Sequence, residues 1–145
     1  MNKFLPQFSL VISLLFSVGL TYSQKADDRI IVAYGDQYVS ELVKNNPQRI
    51  EYLNYFLDHS YEIITSTKNA DDKYSLLSEF LKKPKYNNNV NYSLDLNHFN
   101  VLMYNLPRDK KLKKVYRIDN TDLLIVMFSE EFFVENYNNF KNKNK

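Results

Sequence analysis

The sequence predicts an α+β fold, in which an antiparallel sheet of about four strands packs against three to four helices. In the first half of the chain, apolar residues recur at spacings of three and four, as amphipathic helices require. The second half instead contains short β-rich runs divided by turn residues, which predict a three-stranded meander. One of these runs, Leu123 to Phe128, is apolar without interruption, and this is typical of a central strand covered on both faces. Helices and strands segregated in this way indicate the α+β class.

An export signal is predicted over residues 1–23. Lys3 supplies a positive start, Phe8 to Leu20 an apolar middle, and Thr21 and Ser23 the small residues that a signal peptidase requires, so we expect cleavage after Ser23. The apolar run is too short for a bilayer core of ~30 Å, which disfavours an uncleaved membrane anchor. Residues 24–140 are then a single α+β domain and residues 141–145 a disordered basic tail. The expected location is the periplasm or the exterior.

Composition excludes several classes of function. The chain has no cysteine, which excludes a disulfide framework, thiol catalysis, a cysteine zinc site and a lipid-anchored cysteine. Without Lys3, the 19 Lys and Arg residues become 18 against 17 acidic side chains, so the charge of the mature chain indicates no nucleic-acid partner. Beyond the signal no apolar run is long enough for a transmembrane helix.

The first two helices are predicted between Asp27 and His59. Asp27 and Asp28 offer a cap to the first, and Gly35 predicts either a kink or a start at Asp36, because an interior glycine costs about 0.5–1 kcal/mol relative to alanine. The second runs from Pro47 to about His59, with Asn46 as its cap. The apolar face of the first segment comprises Ile30, Ile31, Tyr34, Tyr38 and Leu42, and that of the second Ile50, Leu53, Phe56 and Leu57.

The middle of the chain alternates between element types. Period-two alternation predicts a strand from Tyr61 to Thr67, and an amphipathic pattern predicts a third helix from Asp72 to Lys83 that ends before Pro84. The third helix is expected to bury Leu76, Leu77, Phe80 and Leu81. The polar stretch from Lys85 to Asn97 is interpreted as a surface loop.

The C-terminal meander is predicted as three strands, Phe99 to Leu106, Leu112 to Ile118 and Leu123 to Phe128. Lys113, Lys114 and Arg117 place the second of these at an edge of the sheet. Ser129 is then expected to cap a last helix, with Glu130 and Glu131 in its first turn and Phe132, Phe133 and Tyr137 facing the core. The residues from Asn138 to Lys145 are predicted to be frayed.

Candidate chemistry is sparse. Each histidine lies near an acid, His59 beside Asp58 and His98 three residues after Asp95. Two such pairs are common by chance, and an imidazole at the position of His59 suits a helix end. No metal site is therefore predicted. Gly35 is the only glycine after the signal, which excludes a glycine-rich phosphate loop. The adjacent carboxylates Asp27 and Asp28, Asp71 and Asp72, and Glu130 and Glu131 are better interpreted as solvated helix starts than as the paired acids of a glycan hydrolase. No catalytic or cofactor-binding residue is predicted.

A few surface features remain as candidates for binding or modification. Two basic stretches, Arg108 to Lys114 and Lys141 to Lys145, could meet lipid phosphates or an acidic protein surface, although a solvated hairpin and tail are the simpler interpretation. The triplet Asn91-Tyr92-Ser93 matches a glycosylation acceptor. Exposed tyrosines would favour a protein interface.

Three segments carry a resemblance to a known group of proteins: Leu20 to Gln24, Ile31 to Tyr55 and Tyr116 to Thr121. Together with a composition rich in Asn, Lys and Tyr and without cysteine, they resemble uncharacterised small exported envelope proteins of Bacteroidota. The resemblance implies a periplasmic location and brings no catalytic residue with it. We therefore expect a non-catalytic interaction or accessory module of a cell-envelope assembly, with a protein partner. A small exported hydrolase that uses paired carboxylates, and a periplasmic carrier of a small ligand or lipid, are the alternatives.

Overall fold

Four helices and a three-stranded antiparallel sheet make up the structure, a computed structural model that describes residues 25–66, 73–82, 96 and 99–144. The helices are α1 (Asp28–Tyr34), α2 (Asp36–Asn45), α3 (Pro47–His59) and α4 (Glu130–Lys143). The strands are β1 (Tyr61–Thr65), β2 (Lys114–Arg117) and β3 (Leu123–Met127). The predicted α+β class is thereby confirmed, whereas the predicted signal over residues 1–23 lies outside the described residues.

Local capping signals set the boundaries of the first three helices. The Asp27 carboxylate accepts a hydrogen bond from the backbone N–H of Arg29 at 2.8 Å and begins α1. Gly35, at φ 88°, separates α1 from α2 in a conformation that favours glycine. Of the two predicted alternatives, the helix start at Asp36 is confirmed, and a separate short helix precedes it. The Asn46 side chain and Pro47 begin α3 as the sequence predicts.

β3 lies at the centre of the sheet, which has the order β1-β3-β2. Ile125 of β3 pairs with Ile63 on one side and with Tyr116 on the other, and this face of the sheet packs against the helices. The buried residues of this core include Ile30, Ile50, Leu57, Tyr116, Ile118, Ile125 and Met127. The predicted central position of Leu123 to Phe128 is confirmed, but its second neighbour is β1.

The predicted strand from Phe99 to Leu106 is wrong. Val101–Met103 form a 3-10 turn, and Tyr104 makes only an isolated bridge to Leu81. The cause is Asn100, whose side chain accepts from the N–H of Leu102 at 3.1 Å and donates to the carbonyl of Arg29 at 2.7 Å. These bonds turn the chain and tie it to α1, so a straight strand cannot form.

The predicted helix from Asp72 to Lys83 is also wrong where it is described. Leu77–Phe80 form a 3-10 turn, and the flanking Leu76 and Leu81 are extended and bridge to Arg117 and Tyr104. Pairing with these distant segments overrides the helical periodicity, because tertiary contacts outweigh weak local propensity. The predicted loop from Lys85 to Asn97 lies outside the described residues except for Leu96.

α4 is longer than predicted and buries a narrower face. The Ser129 hydroxyl accepts from the N–H of Phe132 and caps the helix as expected, and Phe133 is buried. Phe132 is exposed, which corrects its predicted core position. The segment from Asn138, predicted to be frayed, is helical to Lys143, because Phe140 packs against Tyr55 at 4.9 Å between ring centroids. Among the described helices, none is long and apolar enough to cross a bilayer.

Candidate functional site

The segment 108–113, here named the 108–113 loop, is fixed against the start of α4. The carbonyls of Asp109 and Lys110 accept hydrogen bonds from the N–H groups of Glu130 and Glu131 at 3.0 and 3.1 Å. The first N–H groups of a helix have no partner within it, so these bonds satisfy donors that would otherwise need water. The loop is therefore part of the cap of α4.

Arg108 anchors the same loop to the segment between β3 and α4. Its guanidinium Nη2 donates to the carbonyls of Phe128 at 3.3 Å and Ser129 at 3.2 Å. It also lies 5.3 Å from the ring centroid of Phe56 and 5.0 Å from that of Phe133, within the range of cation–π attraction. The first residue of the basic stretch from Arg108 to Lys114 thus has a structural role.

Asp109 fixes the tip of the loop. Its carboxylate Oδ1 accepts the N–H groups of Lys111 and Leu112, both at 2.8 Å, in an Asx-type turn. These hydrogen bonds hold the pKa of Asp109 below its usual value, and the bond from Leu112 has the larger effect. The backbone N–H of Leu112 is consequently held by the side chain of Asp109.

Leu112 is the most exposed large hydrophobic residue in the described part of the chain, with 68% of its surface accessible. Lys110, Lys111 and Lys113 are exposed beside it, and Lys113 Nζ pairs with Glu62 at 3.1 Å. A lone exposed leucine is ordinary on a protein surface. This one differs because a network of hydrogen bonds holds its backbone, so little conformational entropy is lost when a partner covers it.

The sequence interpretation placed Leu112 at the start of a strand, but β2 begins only at Lys114. The edge position predicted for this strand is confirmed by the sheet order. The signal that could have placed Leu112 in a turn is Asp109, since Asp favours turns in which its side chain accepts nearby N–H groups. The position of this turn also depends on hydrogen bonds from the start of α4 to the carbonyls of Asp109 and Lys110, and no local pattern indicates that contact.

A second cluster joins Asp27, one of the paired acids considered for catalysis, to Asp58, which was considered as a metal ligand. Arg29 Nη2 pairs with Asp27 at 2.9 Å and with Asp58 at 2.7 Å, beside an open cleft of about 630 Å³ that Asn54 also lines. The hydrogen bond from Arg29 lowers the pKa of Asp27. A general acid needs a raised pKa, so the cluster is arranged to hold charge rather than to donate a proton.

Where the structure describes them, the other candidate residues are not grouped into a metal site. His59 Nδ1 lies 3.0 Å from the carbonyl of Tyr55, and its ring stacks on Tyr55 at 4.1 Å, as expected at a helix end. Glu130 and Glu131 are exposed in the first turn of α4. His98 and the acids Asp71, Asp72 and Asp95 lie outside the described residues, as does the triplet Asn91-Tyr92-Ser93. Within the described part, no three His, Asp or Glu side chains are grouped to hold a metal ion.

The Asp27 pair makes a pH prediction. Because the pKa of Asp27 is lowered on folding, the pair stabilises the fold above the ordinary aspartate pKa of ~3.9, and this is lost as the pH falls through the lower folded value. Asp27→Asn keeps a helix cap but removes the charge. In urea unfolding near pH 6 we expect wild type to be more stable by ~0.5 kcal/mol, the scale of an exposed ion pair, with the difference shrinking towards pH 3. A difference that grows on acidification would contradict this.

Comparison of the chain with protein-family models, with curated proteins and with solved structures returned no match in any of the three.

Proposed function

We propose that this protein is a non-catalytic exported module of a cell-envelope assembly, periplasmic or secreted, that binds a protein partner through Leu112 and the surrounding lysines. The observation that carries the proposal is an exposed Leu112 on a backbone that is hydrogen-bonded to the Asp109 carboxylate. Export itself rests on the signal-like sequence of residues 1–23.

The chemistry of the loop specifies the partner surface. A leucine on a fixed turn fits an apolar pocket, and buried anchors of this kind supply much of the binding free energy at protein interfaces. Lys110 and Lys111 favour an acidic rim around that pocket, which would speed association and select the partner. We therefore infer an apolar pocket bordered by carboxylates on the partner.

The two alternatives have weaker support. A hydrolase needs an acid with a raised pKa, whereas Asp27 and Asp58 are bridged by Arg29 and the pKa of Asp27 is lowered. A lipid carrier needs an apolar cavity, whereas the cleft beside Arg29 is open and lined by Lys25, Asp28 and Asn54 among other polar groups.

The proposal predicts that Leu112→Asp abolishes partner capture while leaving the fold intact. Removal of an interface anchor typically costs at least ~2 kcal/mol, so recovery of the partner from crosslinked envelopes should fall by about tenfold or more. Val32→Asp is the matched control, because Val32 on α1 is also exposed, at 61%, and the charge change is the same. The two variants should melt at similar temperatures, since neither site is buried.

Equal recovery with Leu112→Asp and Val32→Asp would contradict the docking surface. Recovery of wild-type monomer alone would contradict a protein partner altogether. Flotation with anionic vesicles, lost in Leu112→Asp, would instead assign the loop to lipid headgroups.

A further inference from the structure

The outer edge of β1 has no strand partner in residues 25–66, 73–82, 96 and 99–144. Phe128 N–H donates to Ser60 O, and Ser66 N–H donates to Asp122 O. Because hydrogen-bonded positions alternate in an antiparallel pair, the even-numbered residues of β1 bond to β3 and the odd-numbered ones point their N–H and C=O groups outward. Within the described part of the chain, Tyr61, Ile63 and Thr65 therefore form an unpaired hydrogen-bonding edge.

The opposite edge of the sheet is protected. The N–H of Arg117 on β2 donates to Ser75 O at 2.9 Å, Leu76 bridges to Arg117, and Lys114 is exposed on the same strand. Covered backbone and edge lysines both discourage pairing with other molecules. β1 has no Lys, Pro or Gly, and its single charge, Glu62, is paired with Lys113 at 3.1 Å.

We propose that two copies of this chain pair through the outer edges of β1, antiparallel and centred on Ile63. In this arrangement Ile63 lies opposite Ile63 of the second copy, and Tyr61 lies opposite Thr65 in both directions. Each of these pairs can exchange two backbone hydrogen bonds, so all the outward groups of the strand are satisfied. The two three-stranded sheets then become one continuous sheet of six strands.

The side chains select this register. Centring on Ile63 places Glu62 opposite Ile64, so no like charges face each other. Centring on Glu62 would place the two Glu62 carboxylates directly opposite, and centring on Ile64 would leave Tyr61 without a partner within β1. Ile64 is 42% exposed in the single chain and would gain a neighbour on the outer face. A second copy is therefore an occupant whose hydrogen bonds and charges both fit this edge.

Hydrogen exchange of the purified protein over a series of concentrations, read with sedimentation on the same samples, tests the proposal. The amides of Glu62 and Ile64 should be protected at every concentration, because they bond to β3. The amides of Tyr61, Ile63 and Thr65 should become protected only as the dimer forms. Three results would overturn the proposal: a monomer with these amides unprotected, a dimer in which they stay unprotected, and a monomer in which another segment of the chain protects them.

A matched pair of variants tests the register. Ile64→Glu places a carboxylate opposite Glu62 twice in each dimer and should raise the dimer Kd by roughly tenfold, whereas Ile64→Lys places opposite charges there and should not raise it. Both changes are at the same exposed position and should leave the monomer folded. Equal dimer Kd values for the two variants would contradict the register. Leu112→Asp should leave dimerisation unchanged, so failure of the 108–113 loop as a partner site and failure of this edge are separable.

Discussion

Val126→Asp is expected to unfold the protein or to lower its stability by several kcal/mol. Val126 lies in the middle of the central strand, pairs with Glu62 and Val115 on either side, and is only 6% exposed. An unpaired charge at such a position carries a desolvation penalty comparable with the whole stability of a domain, ~5–15 kcal/mol. Thermal unfolding followed by circular dichroism measures the effect.

The matched control is Lys114→Asp on the edge strand β2, where the side chain is exposed. This change should alter stability by well under ~1 kcal/mol, as is usual for exposed sites. Similar melting temperatures for Val126→Asp and Lys114→Asp would mean that the strand order β1-β3-β2 is incorrect.

Phe133→Ala should destabilise the protein by about 3–5 kcal/mol, the typical cost of deleting a buried phenylalanine ring. Phe133 is 1% exposed, and its ring contacts those of Tyr52, Tyr55 and Phe56 at 5.3–5.6 Å, which joins α4 to α3. The guanidinium of Arg108 would also lose its cation–π contact with the Phe133 ring. Relative to wild type, hydrogen exchange in the variant should therefore accelerate more in the 108–113 loop than in β3.

Phe132→Ala is the control for this prediction, because the neighbouring ring is 49% exposed and contacts only Phe128 among the described aromatic rings. It should cost about 1 kcal/mol or less. Denaturant unfolding that gave the two variants equal stability would contradict the inward direction of Phe133 and with it the orientation of α4.

The elements that the sequence predicted correctly are those with local signals. The start of α3 is set by the Asn46 side chain and Pro47, within the first turn of the helix itself. The central position of β3 follows from its own apolar residues, because a strand with one wet face would alternate. Such signals act over a few residues, and a pattern of residues is sufficient to find them.

The elements that were predicted wrongly depend on contacts between distant residues. Asn100 turns its segment by bonding to the carbonyl of Arg29, 71 positions away, and Ser78 binds Asp119 across 41 positions. Neither contact leaves a periodicity in the sequence. The apolar residues near both sites therefore suggested a strand and a helix that the fold does not contain.

The candidate site was predictable only in part. The sequence marks the basic stretch from Arg108 to Lys114 as a candidate binding segment through its charges, with a solvated hairpin as the simpler interpretation. In the fold Arg108 is used as an anchor, and the exposed apolar Leu112 becomes the prominent group. The position of Leu112 depends on the start of α4, whose first N–H groups donate to the carbonyls of Asp109 and Lys110. These partners are separated by about twenty residues of chain, so no local pattern shows the contact.

The interaction proposal is tested most directly by a photocrosslinking residue placed at position 112 in cells that express the protein, compared with the same residue at position 32. Both positions are exposed, but only position 112 lies on the fixed loop. We expect a discrete crosslinked protein from position 112 that is absent from position 32. The same crosslinks from both positions, or none from position 112, would contradict the assignment of the 108–113 loop as the docking surface.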